Sequence, residues 1–207
     1  MVGYGIIGCG KITQLRHAPE YLENPGAHIV GFFDMDAKRA EATAAKFGGR
    51  VYDSIEQMLA DKDIGAVSVN VANVAHAELS IAALEAGKHV LCEKPMAVTR
   101  DECEAMVAAA RKAEKRLLIG HNQRLANAHV HARQMIAQGL IGRPLSFRTV
   151  FGHPGPECWT GKPDSWFLSK AAAHFGVLGD LGIHKTDLIH YLLDEPIVQV
   201  SAVLRTM

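Results

Sequence analysis

The stretch Gly5-Ile6-Ile7-Gly8-Cys9-Gly10-Lys11-Ile12-Thr13 (GIIGCGKIT) decides how the rest of the chain is read. Gly5, Ile6 and Ile7 close an apolar run with the character of a buried strand. A glycine pair follows, and from Lys11 to Leu22 the spacing is helical. In a strand–glycine turn–helix unit, the first glycine permits the tight turn. The second lets backbone N–H groups at the helix N-terminus reach a pyrophosphate. A literal Gly-x-Gly-x-x-Gly match lies at Gly3-Tyr4-Gly5-Ile6-Ile7-Gly8. It would consume Ile6 and Ile7, which the strand needs, so it is a decoy. The working frame is Gly8-Cys9-Gly10-Lys11-Ile12-Thr13, with Thr13 where a third Gly or Ala usually stands.

Outward from this unit, strand and helix keep alternating. His28 to Phe33 reads as a strand ending in Asp34, and Asp36 to Phe47 as a helix stopped by Gly48-Gly49. Val51-Tyr52 is a brief strand. Ser54 to Gln57 is a capping box opening another helix. Ile64 to Val71 is a β-branched strand, and Val74 to Ala86 a helix closed by Gly87. Val90 to Cys92 is the next strand. Thr99 to Glu102 is a second capping box, for a helix to about Lys112, and Leu117 to Ile119 is one more strand. This alternation predicts an α/β fold, a doubly wound parallel sheet of the Rossmann type, over residues 1–122. Ligands of such sheets bind at the carboxyl ends of the strands, where the strand order reverses. Asp34, Asn73, Glu93-Lys94-Pro95 and Arg124 lie at such ends. A carboxylate at Asp34 would accept hydrogen bonds from the adenosine ribose and repel a 2′-phosphate, which favours NAD over NADP. Its alternative is a carboxylate that stabilises the following helix N-terminus.

After residue 122 the rhythm changes. Ala126 to Gln138 is helical with Gly139 as its stop, Leu145 to Phe151 reads as a strand, and 152–165 as a loop rich in Gly, Pro and Trp. Val177 to Leu193 is a helix and Ile197 to Leu204 a strand. One helix pair and two strands make a poor domain by themselves. On the long helix Asp180, His184 and Asp187 fall at i, i+4 and i+7 along one face. Asp180 and His184 could share a substrate hydroxyl, with Asp187 orienting the imidazole. The alternative is a polar helix face. Gly179 and Gly182 lower helix propensity and would admit another backbone or a ligand.

The 207 residues carry 22 basic and 22 acidic side chains, which gives no global pull toward nucleic acid or an acidic membrane surface. No apolar run is long enough to span a bilayer. The four cysteines form no CxxC pair, the pattern of a reduced, cytoplasmic protein. Eleven histidines raise the question of zinc, but His129 and His131 cannot share a helix face. His153, His174 and His184 match no ligand spacing. No metal is expected.

Together GIIGCGKI, the Asp after VGFF, Asn73 with His76, EAGKHVLCEKP, Arg124 and DLGIHKTD resemble the Gfo/Idh/MocA oxidoreductases, in that family's order and approximate spacing. The resemblance implies a Rossmann domain followed by an α+β domain. It implies Lys94, Asp180 and His184 as the catalytic trio. Gly8, Gly10, Lys11, Ile12, Asp34, Asn73, His76, Glu93, Lys94 and Arg124 would contact or border the cofactor. Three departures stand out: Thr13 at the third glycine, Ala72 where the family has Pro, and Ala173-His174-Phe175 in place of part of a Gly-rich run. Family members are considerably longer, so residues 123–207 are expected to be the first part of a longer domain. Its unpaired edges would need another chain, and a homo-oligomer is expected.

For alcohol oxidation a hydride goes to nicotinamide and a proton to a base. Lys94 is expected as proton acceptor or relay, with His184 on the reacting hydroxyl and Asp180 on its neighbour. Glu93 would fix the loop or a ribose, and Pro95 would follow a cis bond. The expected substrate is a sugar or cyclic polyol, with Trp159 and Trp166 as stacking candidates or loop anchors. A non-catalytic dinucleotide binder and an NAD-assisted glycosidase are the alternatives.

Overall fold

The computed structural model describes residues 1–161 and 165–203. The strands are β1 (Val2–Ile7), β2 (Ala27–Phe33), β3 (Arg50–Val51), β4 (Ala66–Val69), β5 (His89–Cys92) and β6 (Leu117–Ile119). The helices are α1 (Ala18–Glu23), α2 (Ala37–Phe47), α3 (Ile55–Ala60), α4 (His76–Glu85), α5 (Arg100–Lys112), α6 (Asn127–Ala137), α7 (Pro156–Thr160), α8 (Lys170–Ala173) and α9 (Ile183–Leu193).

All six strands are parallel, in the order β3-β2-β1-β4-β5-β6. The order reverses between β1 and β4, and the crevice at their carboxyl ends is where such sheets take ligands. Alternation along β1 builds two cores. Ile6 joins Phe32, Ala18, Tyr21 and Ala40 under α1 and α2, while Ile7 joins Val67, Val69, Met58, Leu84 and Met106 under α3, α4 and α5. Ile6, Phe32, Val67 and Val69 are all 0% exposed. Burying each contributes about 1.5–3 kcal/mol, so this strand has no latitude in register.

Local signals place the helix starts. Thr99 and Glu102 form the full reciprocal capping box of α5. Before α3, Ser54 accepts from the Gln57 N–H, but the Gln57 side chain accepts from Asp53 N rather than Ser54 N, so that box is half formed. The first helix is irregular: Thr13–His17 is a π-helical turn leading into α1.

Residues 123–203 carry α6 to α9 but no strand. The strands expected at 145–151 and 197–204 do not form among the described residues; Leu204 lies outside them. A strand needs a neighbour for its N–H and C=O groups, and no described segment pairs with these. Leu145 is 91% and Val150 80% exposed. The expected loop at 152–165 instead contains α7, with residues 162–164 outside the description. No helix of the described residues is long and apolar enough to cross a membrane.

Candidate active site

Gly8 ends β1 at φ +94°, and a side chain there would lie 2.2 Å from the Asn70 carbonyl oxygen. Only glycine can make that turn. Gly10 faces open space: a Cβ would meet nothing within 4 Å. Lys11 is exposed beside it and Ile12 is half-buried. The turn thus has the shape a pyrophosphate-binding loop requires, backbone accessible at Gly10 and fixed at Gly8. Thr13 does not simply push helix and strand apart. Fully buried, its hydroxyl donates to Gly8 O at 2.5 Å and accepts from Asn70 Nδ2 at 2.9 Å, tying helix start to both strand ends.

Asp34, at the end of β2, accepts the Cys9 N–H at 2.7 Å and pairs with Arg39 at 3.3 Å. It therefore grips the glycine loop and still borders the surface. Arg39 escaped the sequence reading. Its signal was available: a guanidinium one helical turn into α2, beside the acidic strand end.

Ala72 takes φ −69°, the value a proline would impose, so this departure leaves the backbone as the family's residue would set it. Asn73 is buried and its amide donates to Ala173 O at 2.8 Å, linking the sheet end to α8. His76 is fully buried, with Nδ1 2.6 Å from Pro95 O and Nε2 3.2 Å from Val71 O. It has no surface to offer a ligand; it joins two loops that border the crevice. Burial outweighs its hydrogen bonds and lowers its pKa, which keeps the ring neutral.

The Lys94–Pro95 peptide is cis, as the sequence suggested. Glu93 and Lys94 follow β5. Glu93 Oε1 accepts from His17 Nε2 at 2.9 Å and Oε2 from Lys94 N at 3.1 Å, so both oxygens serve the loop. Burial raises the Glu93 pKa, but the hydrogen bond from His17 and the Lys94 contacts outweigh it, leaving a net depression and an ionised group.

Lys94 Nζ donates to Asp180 Oδ1 and to Asp180 O, each at 2.9 Å. The side chains are 14% and 19% exposed, a pair half-closed from solvent. Asp180 sits in a π-helical turn, Leu178–Gly182, that runs into α9. Single π-turns inside helices are frequent at functional sites. Gly179 and Gly182 admit side chains rather than a ligand or another backbone. A Cβ on Gly179 would sit 3.0 Å from Phe175 Cβ, and one on Gly182 would sit 2.7 Å from Leu178 Cδ1.

His153 donates from Nε2 to Asp180 Oδ2 at 3.1 Å while its Nδ1 accepts the Gly155 N–H at 3.0 Å. The sequence raised His153 only as a metal ligand; nothing in its local pattern marks a partner 27 residues away. Burial pushes the Asp180 pKa up, and the Lys94 charge and hydrogen bond with the His153 contact pull it down further, for a net lowering.

His184 lies one turn beyond Asp180, 8% exposed, edge-on to Phe151 at 5.8 Å between ring centroids. Its Nδ1 is buried without a hydrogen-bond partner among the described residues. Burial first, then the charge of Lys94, lowers its pKa to about 4, so the ring is neutral at physiological pH. Asp187 does not orient it. Asp187 receives both Nε and Nη2 of Arg124, with Nε at 2.8 and 3.0 Å, a forked pair. Arg124 is thereby held by α9, its guanidinium 5.7 Å from the Tyr191 ring. His121, also near Asp187 at 3.8 Å, likewise has a buried Nδ1 with no hydrogen-bond partner among the described residues. Trp166 stacks on Phe167 at 3.9 Å and Trp159 meets the same ring edge-on, which anchors their loop. His174 stands at φ +66° in a tight turn closed by Phe175 N donating to Ala173 O at 2.8 Å, where the family's glycine would be unstrained. No group of three or more His, Cys, Asp or Glu among the described residues could hold a metal ion.

Residues 2–121 match the "Oxidoreductase family, NAD-binding Rossmann fold", and residues 129–207 the "GFO/IDH/MocA C-terminal domain". The 1,5-anhydro-D-fructose reductase of Ensifer adhaerens is 34% identical over 201 residues, 97% of this chain and 59% of that protein. The inositol 2-dehydrogenase of Salmonella typhimurium LT2 is 31% identical over 200 residues, 94% of this chain and 54% of that one. Among solved structures, the 3-ketoreductase KijD10 of Actinomadura kijaniata, in complex with NADP and TDP-benzene, superposes with a TM-score of 0.84. It shares 28% identity, over 93% of this chain and 57% of that one. The chain spans little more than half the length of these relatives. Sheet order, glycine turn and both matches agree: this chain belongs to the GFO/IDH/MocA family of NAD-binding oxidoreductases.

Proposed function

We propose that the protein transfers a hydride between NAD and a secondary alcohol or ketone of a sugar or cyclic polyol. The observation that carries this reading is the Lys94 ammonium, hydrogen-bonded to Asp180 at the carboxyl end of the sheet, one helical turn from a neutral His184 whose buried Nδ1 has no partner among the described residues.

Gly8, Gly10, Lys11 and Ile12 would hold the pyrophosphate, Asp34 the adenosine ribose, and Asn73, Glu93, Lys94 and Arg124 the nicotinamide end, with His76 fixing the loop behind them. When bound, nicotinamide supplies the hydride acceptor or donor. The protein's own task is then the proton. Lys94 donates a proton to the carbonyl oxygen in reduction and takes one in oxidation, with Asp180 holding its ammonium in place. His184 hydrogen-bonds the reacting oxygen and shares the proton work. Asp180 and its His153 partner face a neighbouring hydroxyl, a set suited to vicinal hydroxyls. The relatives that reduce anhydrofructose and oxidise inositol fit that substrate class.

NAD is preferred to NADP on this reading because the Asp34 carboxylate would meet a 2′-phosphate, with Arg39 moderating the repulsion. Residues 1–122 form the cofactor domain and 123–207 the substrate side. Exposed apolar residues such as Leu145, Val150 and Val198 favour a homo-oligomer through that second part. Four free cysteines, two of them buried, suit a reducing cytoplasm.

The test is NAD(P) reduction at 340 nm against a panel of sugars and inositols, with Lys94→Ala in parallel and dinucleotide binding followed by fluorescence. The expected result is turnover of at least one polyol and a loss of about 10²–10⁴-fold in kcat for the variant, with cofactor binding kept. Equal turnover in Lys94→Ala removes Lys94 from the chemistry, and failure to bind either dinucleotide removes the reading altogether.

A further inference from the structure

Behind the Glu93–Lys94 loop lies an unbroken buried chain of hydrogen bonds. Tyr21 OH is 2.9 Å from Ser68 Oγ, Ser68 Oγ 3.1 Å from His17 Nδ1, His17 Nε2 2.9 Å from Glu93 Oε1, and Glu93 Oε2 3.1 Å from Lys94 N. Its members come from four places: the π-turn, α1, the centre of β4 and the loop at the end of β5. The order Ser–His–Glu matches that of a nucleophilic triad, but Ser68 is 0% exposed and its hydroxyl is engaged on both sides. No substrate reaches it, so the arrangement has another use.

The donors and acceptors assign themselves. Glu93 is ionised and can only accept, so His17 Nε2 carries the hydrogen. Nδ1 can then accept from the Ser68 hydroxyl, and Ser68 from Tyr21. Tyr21 keeps its proton because its burial holds it far above neutral pH. Every proton in the chain is used once, and Glu93 cannot rotate without breaking it.

We propose that His17 is a positioning residue for Lys94, acting through Glu93: it locks the carboxylate whose second oxygen holds the Lys94 peptide, and so sets where the ammonium meets Asp180. The proposal rests on Lys94 standing at the reacting centre, yet the lock itself can be tested without turnover. Gly120 supports it from the other side, since a Cβ there would crowd Glu93 Oε1 at 3.3 Å.

The experiment measures amine labelling of each lysine by acetic anhydride in the cofactor-free protein, resolved by mass spectrometry. Lys88 is the internal control. It is buried at the opposite end of the sheet, with Nζ on the Asp61 and Ile64 carbonyls at 2.8 Å. His17→Leu is expected to raise Lys94 labelling at least threefold with Lys88 unchanged. His17→Gln, whose amide can donate to Glu93 and accept from Ser68, is expected to return Lys94 to within twofold of the parent. Lys94 unchanged in His17→Leu, or Lys94 and Lys88 rising together, would overturn the proposal, the second result marking general loosening. If His17→Leu does not fold, Ser68→Ala breaks the chain one bond further back, and a Lys94 rate equal to the parent's there is equally fatal. A parent with no dehydrogenase activity would sink the proposed function while leaving this result standing.

Discussion

Replacing Asp34 by Asn isolates the charge that is argued to choose the cofactor. The carboxylate makes three contacts: Oδ2 accepts Cys9 N–H at 2.7 Å, Oδ1 accepts Asp36 N–H at 2.9 Å, and Arg39 faces it at 3.3 Å. An amide oxygen can still accept from Cys9, but the NH2 group then faces the Asp36 N–H, so both dinucleotides should lose some affinity and only their ratio reads the charge. What also goes is one negative charge beside the proposed ribose site. A unit pair about 4 Å apart is worth about 1 kcal/mol in water and about 4 kcal/mol at an effective dielectric of about 20. A 2′-phosphate carries between about 1.5 and 2 charges at neutral pH. Arg39, already paired with Asp34, returns much of the repulsion in the parent and becomes free to attract phosphate in the variant. Taking about 2 kcal/mol per charge, within that range, and an offset of about half leaves about 2 kcal/mol, or about 30-fold in relative affinity. The assay is equilibrium titration of NAD and NADP by protein fluorescence in both forms, at fixed ionic strength. The Kd ratio of NADP to NAD is expected to fall about 30-fold in Asp34→Asn. A second variant, Asp34→Asn with Arg39→Ala, should give part of that gain back. A ratio that moves less than threefold would refute the assignment of cofactor choice to this carboxylate.

Two further outcomes follow from the same geometry. Thr13→Val keeps the shape but removes a hydroxyl that serves Gly8 O and Asn70 Nδ2, both near the buried strand ends. Leaving two buried groups unpaired should cost about 2–4 kcal/mol, a drop in Tm of about 6–12 °C for a chain of this size, read by thermal or urea unfolding. His184 is held neutral, its pKa lowered to about 4 against about 6.5 when unfolded. The unfolded chain therefore binds the proton first as pH falls. Stability should drop between about pH 6.5 and 4, by about 2 kcal/mol or more in all, and level off below. Urea unfolding at pH 7.5 and 4.5 should show that loss shrink in His184→Gln; an equal loss in both proteins would place the acid sensitivity elsewhere.

Much of the fold was legible because it is written in local patterns. Ile6 and Ile7 mark β1, Gly8 marks the turn, and Thr99 with Glu102 marks α5, each within a few residues of what it specifies. The alternation of strand and helix then leaves few parallel topologies. That Lys94 meets Asp180 was suggested only by family resemblance, since helical spacing joins Asp180 to His184 but nothing local joins either to Lys94. Partners chosen by tertiary packing were not legible. Spacing offered Asp187 to His184, yet Asp187 pairs with Arg124, 63 residues away. A forked pair with a guanidinium outcompetes a single bond to an imidazole that burial already keeps uncharged. The strands expected at 145–151 and 197–204 fail for the complementary reason. Their residues have strand propensity, but propensity describes fit to a neighbour, and the described chain supplies none.

That asymmetry bears on how the site is built. The proposed cofactor side hangs from a sheet whose strands fix one another, with Glu93 tied back through His17, Ser68 and Tyr21. The proposed substrate side hangs from α9 and reaches the sheet through a handful of polar links: Lys94 to Asp180, Arg124 to Asp187, Lys185 to Gln123 and Asn73 to Ala173. Each link joins a residue at a strand end to a backbone or side-chain group of the later helices. If these bonds, rather than a second apolar core, hold α9 in register, then loss of one should loosen α9 without unfolding the sheet. Hydrogen exchange reads the two separately. In Asp187→Asn, amides of Ile183–Leu193 should exchange faster while those of β1 and β4 keep their protection. Uniform acceleration across both would mean that sheet and helix unfold as one unit, and that the polar links hold the whole chain together.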